Sequence, residues 1–294
     1  MDASAPRKRI KELEVMVADV IRETADTVTL LLFTGNDRLD YQAGHFLTID
    51  PHQFPELERF IDYFEDLKGK KEPPRAYSMS SAPHERFLAI TVKEERYASG
   101  ATKYPPLLSP LLVKGMARGT RLVITGFTGP YVLPANIDDR AQHLLHVCAG
   151  SGIVPNFSIL KQCLADRPGL RHTLVYANKT WSDVIFAREL NELQQRHPER
   201  LRVVHALTRE SADRLRGPHG EARAGRIAPA LLRELVEDPS SCVAFACGPG
   251  ITAHQKAEAR KTGVAPEPRF LEATIEALRE IGLGEDQLEY ESYG

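Results

Sequence analysis

The hydrophobic residues are spaced differently in the two halves of this chain, and this difference limits the folds that the chain can adopt. The first half contains short runs rich in β-branched and aromatic residues, separated by Gly, Pro and polar turns. These runs span residues 13–20, 27–33, 45–50, 76–81, 87–93 and 121–126. Several short strands at this spacing predict a small antiparallel β-barrel.

The second half alternates between short apolar runs and helical patterns. The apolar runs are 143–149, 173–177, 202–207 and 243–247, and the helical patterns are 155–164, 185–195, 228–236 and 252–261. This alternation predicts a parallel sheet with helices on both faces. Because a polar stretch separates the halves, we predict two domains, a β-barrel over 10–136 and an α/β domain over 140–294.

The segment 51–74 is longer than a connection between two barrel strands needs. Within it, Leu57, Phe60, Ile61 and Phe64 are spaced like one face of a helix, and the basic run 68–71 follows. We therefore expect an inserted helix, which serves as a lid, as a partner surface or only as decoration.

The tetrapeptide 75–78 combines an arginine, an aromatic residue and a hydroxyl in a strand-like run. Because side chains alternate along a strand, Arg75 and Tyr77 should point one way and Ser78 the other. A bound flavin could use a guanidinium for its pyrophosphate, an aromatic ring against its own ring, and a hydroxyl near its redox nitrogen. An ordinary edge strand fits these four residues equally well.

A glycine turn follows the first apolar run of the second half. Gly150-Ser151-Gly152 lies between a predicted strand and a predicted helix, which is the phosphate-binding arrangement of dinucleotide folds. Polar or glycine residues also end three other strands, at 176–180, 207–210 and 245–250. Ligands of parallel sheets lie at the carboxyl ends of the strands, so we expect these segments to form one rim.

The composition argues against several other classes of protein. A net charge of −2 does not suggest nucleic acid as a partner, and no run approaches the ~20 apolar residues of a membrane helix. Because the first eleven residues lack the apolar core of a signal peptide, we expect a cytoplasmic protein.

The spacing of the four cysteines indicates neither a set of disulfide bonds nor a metal site. Cys242 and Cys247 match the first interval of an iron–sulfur run, but Gly250 stands at the third position. His143 and His146 would face opposite sides of a strand, so they make a poor metal pair. We expect no metal on this chain.

Four motifs in order give the chain a family resemblance. Arg75, Tyr77 and Ser78 match an R-x-Y-S motif, and Gly150, Gly152 and Pro155 match G-x-G-x-x-P. The chain also has a C-G-P motif at 247–249 and an E-x-aromatic ending at 291–293. With these motifs, from about residue 13 to residue 293, the chain resembles the ferredoxin–NADP reductase superfamily, in particular the reductase modules of bacterial oxygenases.

The resemblance implies a flavin, with FAD favoured over FMN, and NADPH or NADH as co-substrate. It implies catalytic roles for Ser78, Cys247 and Glu291, and a shielding role for Tyr293. Thr208 and Arg209 match the pair that favours NADPH, and Arg223 and Arg226 could add positive charge there. The other implied cofactor contacts are Ala76, Thr91, Val92, Lys93, Ser109, Ser151, Ile153, Asn178, Gly248 and Pro249. Since Pro110 follows Ser109 and has no N–H, Lys93 or Lys103 could hold the flavin phosphate instead.

The resemblance also implies that electrons pass from NAD(P)H through the flavin to another molecule. Because the sequence given has no iron–sulfur motif, we expect a separate ferredoxin, iron–sulfur protein or oxygenase as acceptor, docked with help from the basic run 68–71. Two alternatives remain open. One is a flavin or ferric reductase that acts on small molecules, and the other is a non-catalytic, flavin-bound regulatory subunit.

Overall fold

The computed structural model describes residues 12–35, 39–97, 102, 104–216 and 220–293, and it places them in two domains. Lys103, an expected phosphate contact, lies outside these residues. No helix within the described ranges combines the length and the apolar character that crossing a membrane requires.

Six antiparallel strands form the first domain. They are β1 (Leu13–Thr24), β2 (Thr27–Phe33), β3 (Phe46–Ile49), β4 (Arg75–Ser78), β5 (Leu88–Lys93) and β6 (Arg121–Thr128). Neighbouring strands follow the order β4-β3-β6-β1-β2-β5, and a bridge between Met79 and Ile90 joins the two edges. The fully buried side chains of Val17, Leu30 and Ile124 lie in the core. The predicted β-barrel is confirmed.

The inserted segment contains the predicted helix. Two short turns, Pro51–Gln53 and Pro55–Leu57, lead into α1 (Glu58–Lys68), which ends at Gly69 in the left-handed conformation. Leu57, Ile61 and Phe64 are buried against the barrel, but Phe60 is 60% exposed. The prediction that Phe60 shares the buried face is therefore wrong, because this residue lies at the edge of that stripe.

Six parallel strands form the second domain, with order β10-β9-β8-β7-β11-β12. They are β7 (His143–Ala149), β8 (Arg171–Asn178), β9 (Leu201–Leu207), β10 (Glu221–Ala224), β11 (Cys242–Pro249) and β12 (Leu288–Tyr293). After α1, the described residues form one further helix in the barrel domain, α2 (Ser109–Lys114). The helices that follow it are α3 (Ile137–Arg140), α4 (Ile153–Asp166), α5 (Ala187–Arg196), α6 (Pro229–Leu235), α7 (Ala253–Thr262) and α8 (Phe270–Glu280). The predicted α/β domain is confirmed, and β10, β12 and α8 are additions to the prediction.

Polar contacts fix the two domains against each other beside helix α4. The Ser158 hydroxyl donates to the Ser81 carbonyl oxygen at 2.6 Å, and Lys161 forms an ion pair with Glu85. Because α4 begins directly after the glycine turn, these contacts hold the turn in a defined position relative to the barrel.

Candidate functional site

Two adjoining cavities lie where the domains face each other. The first, of 490 Å³, lies between strands β4 and β5 of the barrel and the end of β12, and we call it the barrel cavity. The second, of 540 Å³, follows the carboxyl ends of β7, β8 and β9, and we call it the sheet cavity. Lys93, Ser151, Pro249 and Arg269 line both cavities, so a ligand in one can touch a ligand in the other.

Strands β4 and β5 supply the barrel side of the barrel cavity. The predicted residues that line it are Ala76, Tyr77, Ser78, Thr91, Val92 and Lys93. Phe46 also lines it, because the antiparallel register of β3 and β4 sets Phe46 opposite Ser78. The Thr91 hydroxyl lies 2.8 Å from that of Thr29 in the buried interior, which fixes the position of β5.

Arg75 is held by the inserted segment rather than by the cavity wall. Its guanidinium forms an ion pair with Glu72 at 2.5 Å and also donates to the Pro73 carbonyl oxygen. Lys68 pairs with the same carboxylate, whose side chain is only 1% exposed. Burial disfavours ionisation of Glu72, but the hydrogen bonds from Lys68 and Arg75 outweigh it and lower the pKa of this carboxyl.

Ser109 lies behind the cavity wall. Its side chain is buried, and its hydroxyl accepts a hydrogen bond from the backbone N–H of Glu95 at 3.1 Å. Glu95 itself lines the barrel cavity. The structure therefore gives Ser109 a role in shaping the chain after β5, and its predicted contact with a cofactor stays a prediction.

The end of β12 brings two of the predicted catalytic residues together with Tyr293. Glu291 and Tyr293 are two residues apart on the strand, so both side chains face the barrel. The Tyr293 hydroxyl donates a hydrogen bond to Ser78 Oγ, which lines the cavity beside it. Glu291 and Ser78 also interact through a hydrogen bond.

The pKa of the Glu291 carboxyl is the electrostatic feature of the site that bears most directly on function. Burial raises the pKa of its carboxyl from 4.5 to about 7, although the hydrogen bond from Ser78 opposes this shift. Its Oε2 atom is buried and has no partner among the described residues. A carboxyl with a pKa near neutrality at a cavity wall can hold or release a proton at physiological pH.

Cys247 lies behind these residues. Its side chain is fully buried in a cluster against which Tyr293 packs, and burial raises the pKa of its thiol. It lines neither cavity, although it stands opposite Glu291 in the β11–β12 register. The predicted contact of Cys247 with a nucleotide stays a prediction, and it would require Tyr293 to move.

The glycine turn lies between strand β7 and helix α4, as the sequence predicted. Gly150 has φ 53°, in the left-handed region, and a Cβ on Gly152 would lie 2.1 Å from the Cys247 carbonyl oxygen. Only glycine fits at position 152. Gly150 and Ser151 line the sheet cavity, whereas Gly152, Ile153 and Pro155 are buried and shape the start of α4.

The rim of the sheet contributes the remaining predicted residues. Asn178 and Thr208 line the sheet cavity, as does Pro249, and Gly248 is buried beneath it. Arg209 is exposed and lines neither cavity, whereas Arg226 lines the sheet cavity.

Sequence reasoning missed Arg269, which lines both cavities and donates to the Gly250 carbonyl oxygen at 2.9 Å. Phe270 also lines the sheet cavity without having been predicted, whereas Lys179 lies in the segment 176–180 that the sequence places at this rim. Arg269 belongs to no motif. It reaches the rim because helix α8, which the sequence did not predict, begins there. Within the described ranges, the structure has no group of three or more His, Cys, Asp or Glu side chains that could hold a metal ion.

Comparison with known proteins supports this description. Residues 146–256 match the model of an oxidoreductase NAD-binding domain. The chain is 32% identical over 288 residues to the ferredoxin reductase component of a 3-ketosteroid-9-alpha-monooxygenase from Mycolicibacterium smegmatis, covering 96% of this chain and 65% of that protein. The corresponding component from Rhodococcus rhodochrous is 33% identical, over 80% of this chain and 56% of the relative. The chain thus spans about 56% to 65% of the length of these curated relatives.

Solved structures share the two-domain fold. The flavohem-like FAD/NAD-binding domain of a nitric oxide dioxygenase from Vibrio cholerae matches with a TM-score of 0.70 at 22% identity, covering 96% of this chain and 98% of that one. The ferredoxin reductase of a carbazole 1,9a-dioxygenase matches with a TM-score of 0.67 at 20% identity, covering 98% and 71%. Together with the motifs and the two adjoining cavities, these similarities show that the chain carries an oxidoreductase NAD-binding domain and has the two-domain fold of ferredoxin reductase-like proteins.

Proposed function

We propose that this chain is a flavoprotein reductase that accepts a hydride from NADPH or NADH and passes electrons to a separate electron carrier or oxygenase. The observation that carries this proposal is the meeting of the two cavities at Lys93, Ser151, Pro249 and Arg269. A flavin in the barrel cavity and a nucleotide in the sheet cavity would approach each other there, and hydride transfer requires such close and oriented approach.

The barrel cavity offers groups suited to a flavin. Tyr77 provides an aromatic surface, and Ser78 provides a hydroxyl. The unpartnered Oε2 of Glu291 is a buried polar atom in need of a partner, which the polar edge of a flavin or of a nicotinamide amide supplies. A bound flavin would accept a hydride pair and release electrons singly. We favour FAD over FMN.

The residues of β12 would control the approach of the nucleotide. Tyr293 covers Ser78 in this structure, so its ring must turn aside before a nicotinamide can reach the barrel cavity. Glu291 would hold a proton below about pH 7 and release it above. The buried wall around Cys247 would exclude water from the reacting atoms.

The sheet cavity would bind the rest of the nucleotide. Lys93 and Arg269 place two positive charges at the junction, where the pyrophosphate of a dinucleotide would pass. Thr208 and Arg226 offer a hydroxyl and a guanidinium farther along the cavity, which suits a ribose 2′-phosphate. We therefore favour NADPH over NADH, with Arg226 rather than Arg209, both suggested by the sequence, as the guanidinium at the cavity.

The acceptor is proposed from the relatives. Two of them are named as ferredoxin reductase components of a monooxygenase, and one solved structure as the ferredoxin reductase of a dioxygenase. Docking through the basic run 68–71 stays a prediction. Of its three lysines, Lys70 and Lys71 are exposed, while Lys68 is paired with Glu72.

The proposal is tested on the purified protein reconstituted with FAD. Anaerobic titration with NADPH and then NADH should bleach the flavin absorption, and the reduced protein should then reduce an added ferredoxin or cytochrome c. A flavin spectrum that neither nucleotide bleaches would indicate a regulatory subunit instead. Rapid turnover with free flavin or ferric chelates, without transfer to a protein carrier, would indicate a small-molecule reductase.

A further inference from the structure

Two buried side chains lie beneath the glycine turn and bind its carbonyl oxygens. The Tyr176 hydroxyl donates to the Gly150 carbonyl oxygen at 2.9 Å, and the Asn156 amide group donates to the Gly152 carbonyl oxygen at 3.2 Å. Tyr176 is fully buried, and Asn156 is 1% exposed. Because neither residue lines the barrel cavity or the sheet cavity, both can act on a ligand only through the turn.

The Tyr176 hydroxyl is held in place by a second hydrogen bond. It accepts from the backbone N–H of Ile185 at 3.3 Å, while its own proton goes to the Gly150 carbonyl oxygen. Burial raises the pKa of this hydroxyl, so it stays protonated at physiological pH and remains a donor. The bond therefore stabilises the carbonyl group of Gly150, whose φ of 53° lies in the left-handed region.

A buried network fixes the orientation of the Asn156 amide. Its Oδ1 atom accepts from the Tyr131 hydroxyl at 3.2 Å and lies 3.0 Å from His146 Nδ1. Burial lowers the pKa of His146 to about 4, so the ring is neutral at physiological pH and carries its proton on the Nδ1 atom that faces this oxygen. Because two donors meet the amide oxygen, the amide NH₂ group is turned toward Gly152.

These contacts decide which backbone groups an anion meets at the turn. Gly150 and Ser151 line the sheet cavity. The carbonyl oxygens on either side of Ser151 are directed to buried donors, so their partial negative charge does not point at an anion in the cavity. An anion is bound at such a turn by backbone N–H groups, and a carbonyl oxygen that turned into the cavity would repel it.

We propose that Tyr176 and Asn156 are positioning residues that hold the glycine turn ready for the pyrophosphate of NADPH or NADH. The inference rests on the proposed function. Both nucleotides carry the same pyrophosphate, so the loss of either hydrogen bond should weaken the binding of both by the same factor. The cost arises because a released carbonyl group must be ordered again each time a nucleotide binds.

The test measures the dissociation constants of NADP⁺ and NAD⁺ by equilibrium titration of wild type and Tyr176→Phe. This variant removes one hydroxyl and keeps the ring, so we expect both dinucleotides to bind about three- to tenfold more weakly. Adenosine 2′-monophosphate keeps the adenosine and lacks the pyrophosphate, so its affinity should be the same for both proteins. Asn156→Leu, which removes the second donor, should weaken the dinucleotides in the same way.

The matched control variant is Tyr131→Phe. It removes an equally buried hydroxyl from the same network, but that hydroxyl does not touch the turn. Because His146 still holds the amide oxygen of Asn156, the affinity for NADP⁺ should stay at the wild-type value.

Wild-type affinity for both dinucleotides in Tyr176→Phe would overturn the proposal. Equal weakening of NADP⁺ and adenosine 2′-monophosphate would also overturn it, as would a loss in Tyr131→Phe that matches the loss in Tyr176→Phe, since either result would indicate a general disturbance of the domain. Failure of the wild-type protein to bind NADP⁺ or NAD⁺ would instead refute the proposed function, and this proposal with it.

Discussion

Replacement of Glu291 by Gln should make the protein more stable at alkaline pH, and the size of the effect follows from the pKa of this carboxyl. Burial raises that pKa from 4.5 to about 7. Between these values the folded protein holds a proton that the unfolded chain has released, so folded-state stability falls as pH rises through this window. At about 1.4 kcal/mol per unit, the full penalty above pH 7 is about 3 kcal/mol.

The assay is urea unfolding of wild type and Glu291→Gln at pH 5 and pH 8. Because Gln does not ionise, the variant escapes the penalty, and its advantage over wild type should grow by about 2 to 3 kcal/mol between the two pH values. Glu267→Gln, which replaces an exposed carboxylate ahead of α8, is the control and should show no such growth. A difference between Glu291→Gln and wild type that is the same at both pH values would refute the assigned pKa.

Three further predictions concern the two cavities. Gly152→Ala should lower the unfolding temperature and raise the KM for the nucleotide, because its Cβ would lie 2.1 Å from a carbonyl oxygen. The control is Gly169→Ala, whose Cβ would enter open space, so it should leave the unfolding temperature and the KM unchanged. Arg226→Ala should raise the KM for NADPH roughly tenfold while leaving that for NADH nearly unchanged, if the guanidinium binds a 2′-phosphate; equal effects in steady-state kinetics would contradict this. Tyr293→Ala should tighten equilibrium binding of NADP⁺ to the oxidised protein, since the ring no longer has to be displaced, and weaker binding would show that Tyr293 assists the nucleotide.

The strands that pack on a hydrophobic core were predictable from sequence, because their periodicity records burial directly. Strand β7 was predicted at its observed limits. Strand β12 was not predicted, because Leu288–Tyr293 alternates polar and aromatic residues at the edge of the sheet and buries only Leu288 fully. Strand β10 was missed for the same reason, since none of its four residues is fully buried.

The candidate site was predictable where short motifs define it, and not where distant segments meet. The motif around Ser78 and the glycine turn lie at the cavities as expected. The motif could not reveal that Arg75 pairs with Glu72, because that partner belongs to the inserted segment. Nor could it reveal Arg269, which reaches both cavities only through the packing of α8 against the sheet.

The proposed reaction is the reduction of a flavin in the barrel cavity by a nucleotide in the sheet cavity. The most direct measurement is anaerobic stopped-flow absorbance of the FAD-loaded protein mixed with NADPH. We expect complete loss of the flavin band, with a rate that Ser78→Ala lowers markedly while flavin content is kept. A flavin band that persists with both NADPH and NADH would contradict the proposed reaction.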